Sequence, residues 1–165
     1  MNQDFVLELF FSLNGDVDKI NQVIDSKLQK NQIRKITTFE MYIKSRLASD
    51  SRALRMANMG INPVETAYLS MYPDLAGLEI LDLRQNLLGD EGLQAIVNSP
   101  VLTQLRELDL RNNQISRLGM ELLAKAPNMA QLEKLDLRAN KLGKRWEEKI
   151  REQGAFPNLK EIKTV

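Results

Sequence analysis

The sequence predicts a short, right-handed α/β solenoid with parallel strands on its concave face and helices on its convex face. Three segments of the form LxxLDLRxN begin at Leu78, Leu105 and Leu132, so they recur at a constant interval of 27 residues (105 − 78 = 132 − 105 = 27). Two columns of apolar residues keep the same interval: Leu88, Ile115 and Leu142, then Ile96, Leu123 and Ile150. Such an interval is typical of stacked coils that bury their apolar faces against each other.

Each LxxLDLRxN segment is expected to hold a short strand that ends at an asparagine. Because alternate side chains of a strand face opposite sides, Leu81 and Leu83 point into the core, while Ile80, Asp82 and Arg84 point outward. The asparagines turn the chain away from the sheet, and their amides are expected to bond backbone groups that the bend leaves unpaired. These asparagines are Asn86, Asn113 and Asn140.

The repeat predicts a solenoid from residue 51 to residue 165. Residues 51–77 keep only part of the pattern, and we interpret them as a degenerate first coil. The regular coils are 78–104, 105–131 and 132–158, followed by a closing strand at 159–165. In the last coil Trp146 takes the place of Gly92 and Gly119, as expected where no further coil packs beyond the core.

Residues 1–50 do not carry the repeat and are predicted to form a helical N-terminal cap, because a solenoid needs its open core ends covered. A first helix is expected from Asp4 to about Leu13, and a second from Asp16. The segment Thr37–Glu40 resembles a capping box that starts a third helix. An independent docking or dimerisation element is the alternative for this block.

The run Phe5–Phe11 is apolar on more than one helical face. Burial between the other two helices and the first coil explains such a pattern, and so does a dimer or partner interface. We therefore expect a monomer, with a dimer through the Phe5–Phe11 helix as the alternative.

The composition restricts the partners and the location. Lys and Arg number 23 and Asp and Glu 22, so the chain lacks the concentrated positive charge that nucleic acids and anionic membranes require of a binding protein. The absence of cysteine fits a reducing compartment. The first residues lack the basic start of a secretory signal, and no apolar stretch is long enough to span a bilayer. We expect a cytoplasmic location, with export by a leaderless route left open.

The sequence also argues against catalysis. It contains no histidine and no cysteine, so the common catalytic triads, thiol nucleophiles and His/Cys metal sites cannot be built. The turn Gly89–Gly92 does not have the spacing of a phosphate-binding loop. We therefore predict a protein that is not an enzyme and that needs no cofactor or metal.

The frame LxxLxLxxN, followed by Leu88–Leu93 and a helix, resembles the leucine-rich repeats of the ribonuclease-inhibitor-like class. The residues of the repeat resemble those of bacterial members of that class most. The resemblance covers residues 78–164 well and 51–77 weakly. It implies a protein-binding module that uses the concave sheet and its flanking loops. It also allows regulation of a small GTPase, because some leucine-rich repeat proteins act in this way.

The outward strand positions supply the candidate binding residues: Ile80, Arg84, Glu107, Arg111, Lys134 and Arg138. The arginines admit two interpretations. Either they neutralise the neighbouring aspartates Asp82, Asp109 and Asp136, or they anchor carboxylates of a partner. The column that varies from coil to coil, Ile80, Glu107 and Lys134, is the better candidate for specificity, because the arginine column repeats without change.

The predicted function is non-covalent recognition of a protein partner through the concave sheet, as an adaptor or regulatory subunit. Three other functions stay open: a regulator of a small GTPase, a self-assembling structural unit that uses the N-terminal helices, and a leaderless secreted effector. The fold alone does not choose among them.

Overall fold

The computed structural model describes residues 8, 12–14, 16–28, 34–126, 128–140, 142–154 and 156–165. Six α-helices lie in these residues: α1 (Val17–Leu28), α2 (Ile36–Leu47), α3 (Pro63–Ser70), α4 (Gly89–Val97), α5 (Arg117–Leu123) and α6 (Arg145–Glu152). The strands are β1 (Ala53–Arg55), β2 (Ile80–Asp82), β3 (Glu107–Asp109), β4 (Lys134–Asp136) and β5 (Glu161–Lys163). From β1 onward strands and helices alternate.

The five strands form one parallel sheet in the order β1-β2-β3-β4-β5. The register pairs equivalent residues of successive coils, so the inward side chains form one buried row: Leu54, Leu81, Leu108, Leu135 and Ile162. Helices α3, α4 and α5 pack against one another in sequence. The α/β solenoid that the repeat predicted is confirmed.

The asparagines bond the backbone of neighbouring coils, as predicted. Asn86 Nδ2 donates to the carbonyl of Met56 at 2.9 Å, and Asn86 Oδ1 accepts from the N–H groups of Met59 and Ile61 at 2.9 and 3.0 Å. Asn140 makes the equivalent bonds two coils later. Each of these amides therefore joins its own coil to the preceding one and satisfies polar groups in the interior.

Asn113 departs from this pattern. Its Oδ1 is buried and has no hydrogen-bond partner among the described residues. In the first and third coils the residue after the asparagine position has a positive φ, 64° at Gly60 and 61° at Gln114. In the second coil Leu87 holds that position, and Gly89 adopts the positive φ of 59° instead. The Gly89 N–H then donates to the Asn113 carbonyl at 2.9 Å, so this loop follows a different path.

One hydrophobic core runs from the N-terminal helices to the last strand. Ile20 and Ile24 of α1 and Phe39 and Ile43 of α2 are fully buried in the same cluster as the solenoid leucines. Asp16 accepts a bond from the Lys19 N–H at 3.2 Å, which fits the predicted start of this helix. The division at residue 50 stays a prediction.

The predicted capping box at Thr37–Glu40 is wrong. Helix α2 begins earlier, at Ile36, and Lys35 holds the N-cap position without a side-chain hydrogen bond to the helix. Glu40 is buried and turns toward Tyr68 and Tyr72 rather than back toward the helix start. The long-range bonds prevail over the local motif because they satisfy three polar groups inside the protein.

The predicted helix from Asp4 to Leu13, including most of the Phe5–Phe11 run, lies outside the described residues. Among the residues that are described, no helix combines the length and apolarity needed to cross a bilayer.

Candidate functional site

The outward strand positions form three columns along the concave sheet. The first column is Ala53, Ile80, Glu107, Lys134 and Glu161. The second column is Arg55, Asp82, Asp109, Asp136 and Lys163. The third column, two residues further along the chain, is Arg84, Arg111 and Arg138. All six residues of the predicted site therefore belong to the first and third columns.

A shallow depression of about 280 Å³ lies on this face and is lined by all five strands. Its lining includes Ile80, Glu107 and Lys134, the three variable residues of the predicted site. The three arginines of the third column lie outside that lining, beyond the aspartates. The structure thus brings half of the predicted set together around one concavity and puts the other half along its border.

Two arginines of the third column are held by aspartates of the second. Arg111 bonds Asp109 with two nitrogens, Nε at 3.0 Å and Nη2 at 2.6 Å. Arg138 bonds Asp136 in the same way, at 3.0 and 2.7 Å. Each aspartate also accepts the backbone N–H of its arginine, which fixes its orientation. These two pairs are bidentate and charge-assisted, so they match the neutralising interpretation.

The electrostatics keep these side chains charged. Burial raises the pKa of the Asp136 carboxyl, but the hydrogen bonds from Arg138 and the charge of Arg111 outweigh burial and hold that pKa below its ordinary value. The hydrogen bond to Asp109 raises the pKa of Arg111. Neither group is poised to exchange a proton near neutral pH.

The first column contains one tight ion pair. Lys134 Nζ lies 2.6 Å from Glu107 Oε1, and this hydrogen bond raises the pKa of Lys134. Ile80 stands beside Glu107 in the register and is half-buried. The column therefore changes from apolar on β1 and β2 to charged and paired on β3 and β4.

At the β1–β2 end the charged groups are held more loosely. Arg84 Nε lies 3.4 Å from Asp82 Oδ2, and its side chain is 45% exposed. Arg55 Nη1 lies 3.7 Å from Asp50 Oδ2, and its side chain is 59% exposed. The arginine column that repeats without change in the sequence is thus not uniform in its contacts.

A ladder of alternating charge, which is not among the predicted site residues, runs along the edge where the strands begin. It consists of Arg52, Glu79, Arg106, Glu133 and Lys160, each 27 residues from the last. Arg52 and Glu79 are 2.9 Å apart, as are Arg106 and Glu133. Lys160 pairs with Glu133 at the end of the ladder. The signal was in the sequence, because the interval is that of the leucines.

The described residues include no group of three or more carboxylates that could hold a metal ion. The depression described above is open, and its lining includes both charged residues and the apolar Ile80. Such a surface is suited to contact with another molecule's side chains.

Comparison with known families agrees with the fold. Residues 103–148 match a model described as "Leucine Rich repeats (2 copies)", and residues 78–97 match one described as "Leucine Rich repeat". A search of curated proteins found no match to the chain. The chain therefore contains leucine-rich repeats, and domains built from them generally mediate protein–protein interaction.

Proposed function

We propose that this protein is a non-catalytic adaptor or regulatory subunit that binds a protein partner through its concave sheet. The observation that carries the proposal is the open depression of about 280 Å³ on a leucine-rich repeat sheet, lined by side chains from all five strands. The predicted residues Ile80, Glu107 and Lys134 would contact the partner directly. Arg84, Arg111 and Arg138 would form the border of the contact.

The size of the sheet limits what it binds. Five strands about 4.8 Å apart span roughly 20 Å, which is about the length of a short helix or an exposed loop. We propose that the partner offers one such element, and that the protein acts as a monomer in the cytoplasm. We assign the repeats to the ribonuclease-inhibitor-like class of bacterial type, because each coil pairs a strand with a helix in 27 residues.

The test exchanges charges without removing an ion pair. In the double variant E107K/K134E the two side chains still attract each other, but the charge pattern at the centre of the depression is reversed. The matched control is E121K/K125E, which exchanges two exposed charges on the convex helix α5 and the turn after it. Circular dichroism and thermal unfolding verify that all three proteins are folded.

Each protein is used as bait in a cell lysate, and a captured partner is purified and its Kd measured by calorimetry. We expect the concave exchange to weaken binding by at least about tenfold, since like charges across an interface are costly. The convex exchange should leave Kd within about twofold. Equal affinity for all three proteins would contradict binding through the concave sheet.

A further inference from the structure

The ion pairs of the concave face are tight on β3, β4 and β5. The distances are 2.6 Å for Glu107–Lys134, 2.6 Å for Asp109–Arg111 and 2.7 Å for Asp136–Arg138. Glu161 and Lys163 also pair on the last strand. A partner that lies on this half must either leave these pairs intact or replace their bonds and their water, and both limit the gain in affinity.

The β1–β2 half offers a different surface. Its first column is apolar: Ala53 is buried, and Ile80 is half-buried and lines the depression. Its charged groups include two exposed guanidinium groups. Arg55 lies near Asp50, and Arg84 lies near Asp82, which stands beside Arg55 in the second column. These contacts, at 3.4 and 3.7 Å, are longer than the ion pairs on β3 and β4, and each exposed guanidinium has further N–H donors.

We infer, on the basis of the proposed function, that contact is centred on this β1–β2 half and that the partner presents an acidic side chain next to an apolar one. The carboxylate lies between Arg55 and Arg84, where each guanidinium donates charge-assisted bonds. The apolar side chain packs on Ile80. Arginine is enriched among the few residues that carry most of the binding energy at protein interfaces.

A basic partner is the competing chemistry, because carboxylates outnumber cations in the lining of the depression. The carboxylates on β3, β4 and β5 already have a cation in contact, so a basic ligand would have to displace it. Asp82 is flanked by two arginines, which repel an incoming cation. The pairing therefore favours an acidic segment despite the count of carboxylates.

The experiment selects a random-peptide phage library on the immobilised full chain and measures Kd for the selected synthetic peptides by fluorescence polarisation. The variants are R55Q/R84Q and R111Q/R138Q, which remove two positive charges each from opposite halves of the sheet. A third variant, K125E on the convex side, monitors non-specific effects of charge. Thermal unfolding verifies that each variant is folded.

We expect selected peptides to carry Asp or Glu beside an apolar residue. R55Q/R84Q should weaken them by about tenfold or more, and R111Q/R138Q by about threefold or less. Basic peptides, or equal losses in both double variants, would overturn the inference and leave binding through the concave sheet standing. Unchanged affinity in both would contradict the proposed function as well. A library that yields no binding sequence would also overturn the inference, because a short linear segment would then not suffice.

Discussion

At the β1 end of the sheet two helices cover the core, whereas at the β5 end the last coil supplies its own closure. The first closure depends on Arg34, which precedes α2. Its Nε lies 2.6 Å from Glu65 Oε1, and its Nη1 donates to the Met59 carbonyl at 3.0 Å. The guanidinium also lies over the Phe39 ring at 5.4 Å from the centroid. One side chain thus joins the helical block to the first coil by charge and hydrogen bond, while its stacking on Phe39 holds it against α2.

A second polar cluster lies in the same junction. Buried Glu40 accepts bonds from the Tyr68 and Tyr72 hydroxyls at 3.1 and 3.2 Å, and from Asn21. Lys44 Nζ lies 2.5 Å from Glu40 Oε1 and neutralises it at the surface. Burial raises the pKa of Tyr68 and of Tyr72, so both remain hydroxyl donors. The packing of the N-terminal helices on the first coil therefore depends on a network of buried polar groups, and removal of one member leaves the others without a partner.

The β5 end is closed by side chains of α6. Trp146 is buried and Lys149 Nζ lies 4.4 Å from its ring centroid. Glu147 accepts bonds from the Thr164 N–H and Oγ1 at 2.8 and 2.9 Å, in the place that the next strand would take. Arg151 donates to the carbonyls of Leu159 and Lys160 at 3.3 and 3.4 Å. A solenoid end thus needs only a core cover and partners for the strand edge, and one helix provides both.

The largest expected effect is loss of the C-terminal cover. Trp146→Ala should lower the free energy of unfolding by about 3–5 kcal/mol, because it removes a large buried side chain. The effect should be local, since each coil contacts only its neighbours. Hydrogen exchange should accelerate in α6 and β5 and stay unchanged in α1 and α2. Glu148→Ala, on the exposed face of the same helix, is the control, and equal acceleration at both ends would contradict separate closures.

The second-largest loss of stability is expected when the polar cluster around Glu40 is disrupted. Glu40→Ala leaves two tyrosine hydroxyls and an asparagine amide without their acceptor, which should cost about 2–4 kcal/mol. Chemical denaturation measures the loss, and hydrogen exchange should now accelerate in α1, α2 and β1. Glu121→Ala on the convex face should have no such effect. If β5 were to exchange faster than α2 in the Glu40 variant, the comparison between the ends would fail.

A smaller loss is expected at the strand edge. Glu147→Ala removes the acceptor for two bonds from Thr164 and should cost about 1–2 kcal/mol. Glu148→Ala, one residue further along, should change stability by less than about 0.5 kcal/mol. Urea unfolding of the pair separates the role of the edge partner from that of charge on the helix. Equal costs would show that the bonds to Thr164 do not stabilise this end.

The smallest expected effect is on the free energy of unfolding at acidic pH. Burial raises the pKa of Glu40, but the bonds from Lys44, Asn21 and Tyr68 outweigh it and hold the pKa below the ordinary 4.5. The folded state therefore favours the charged form, and this stabilisation is present above about pH 4.5 and is lost as pH falls through the lower folded pKa. Glu40→Gln should flatten the fall in stability over that range. An unchanged slope, measured by urea unfolding at several pH values, would contradict this role of Glu40.

The 27-residue repeat predicts most of the fold, but it does not predict the distances within the ion pairs on the concave face. Inward leucines and turning asparagines follow from a period of 27, because every coil must solve the same packing problem as its neighbour. Arg84 and Arg111 occupy equivalent positions, yet their distances to aspartate differ, and this depends on side-chain conformation rather than on spacing. The columns of the candidate site were therefore predictable, while the looser β1–β2 half was not.

Two other failures have physical causes of their own. The motif Thr37–Glu40 predicts that Glu40 caps its own helix, but its partners Tyr68 and Tyr72 lie 28 and 32 residues away in the sequence. A local motif cannot reveal such contacts. The Oδ1 of Asn113, which has no partner among the described residues, accompanies a shift of the positive φ from the position of Leu87 to Gly89. The unbroken column of asparagines in the sequence does not reveal that shift.

The ladder from Arg52 to Lys160 also constrains how many coils the sheet can hold. Its sign alternates from one coil to the next, so the full pattern repeats only every second coil. Deleting the coil 105–131 would put Glu79 beside Glu133, and duplicating that coil would put Arg106 beside its own copy. Like charges in adjacent strands are destabilising. Anyone who lengthens or shortens this protein should therefore change the number of coils by two, or reverse one charge at the junction.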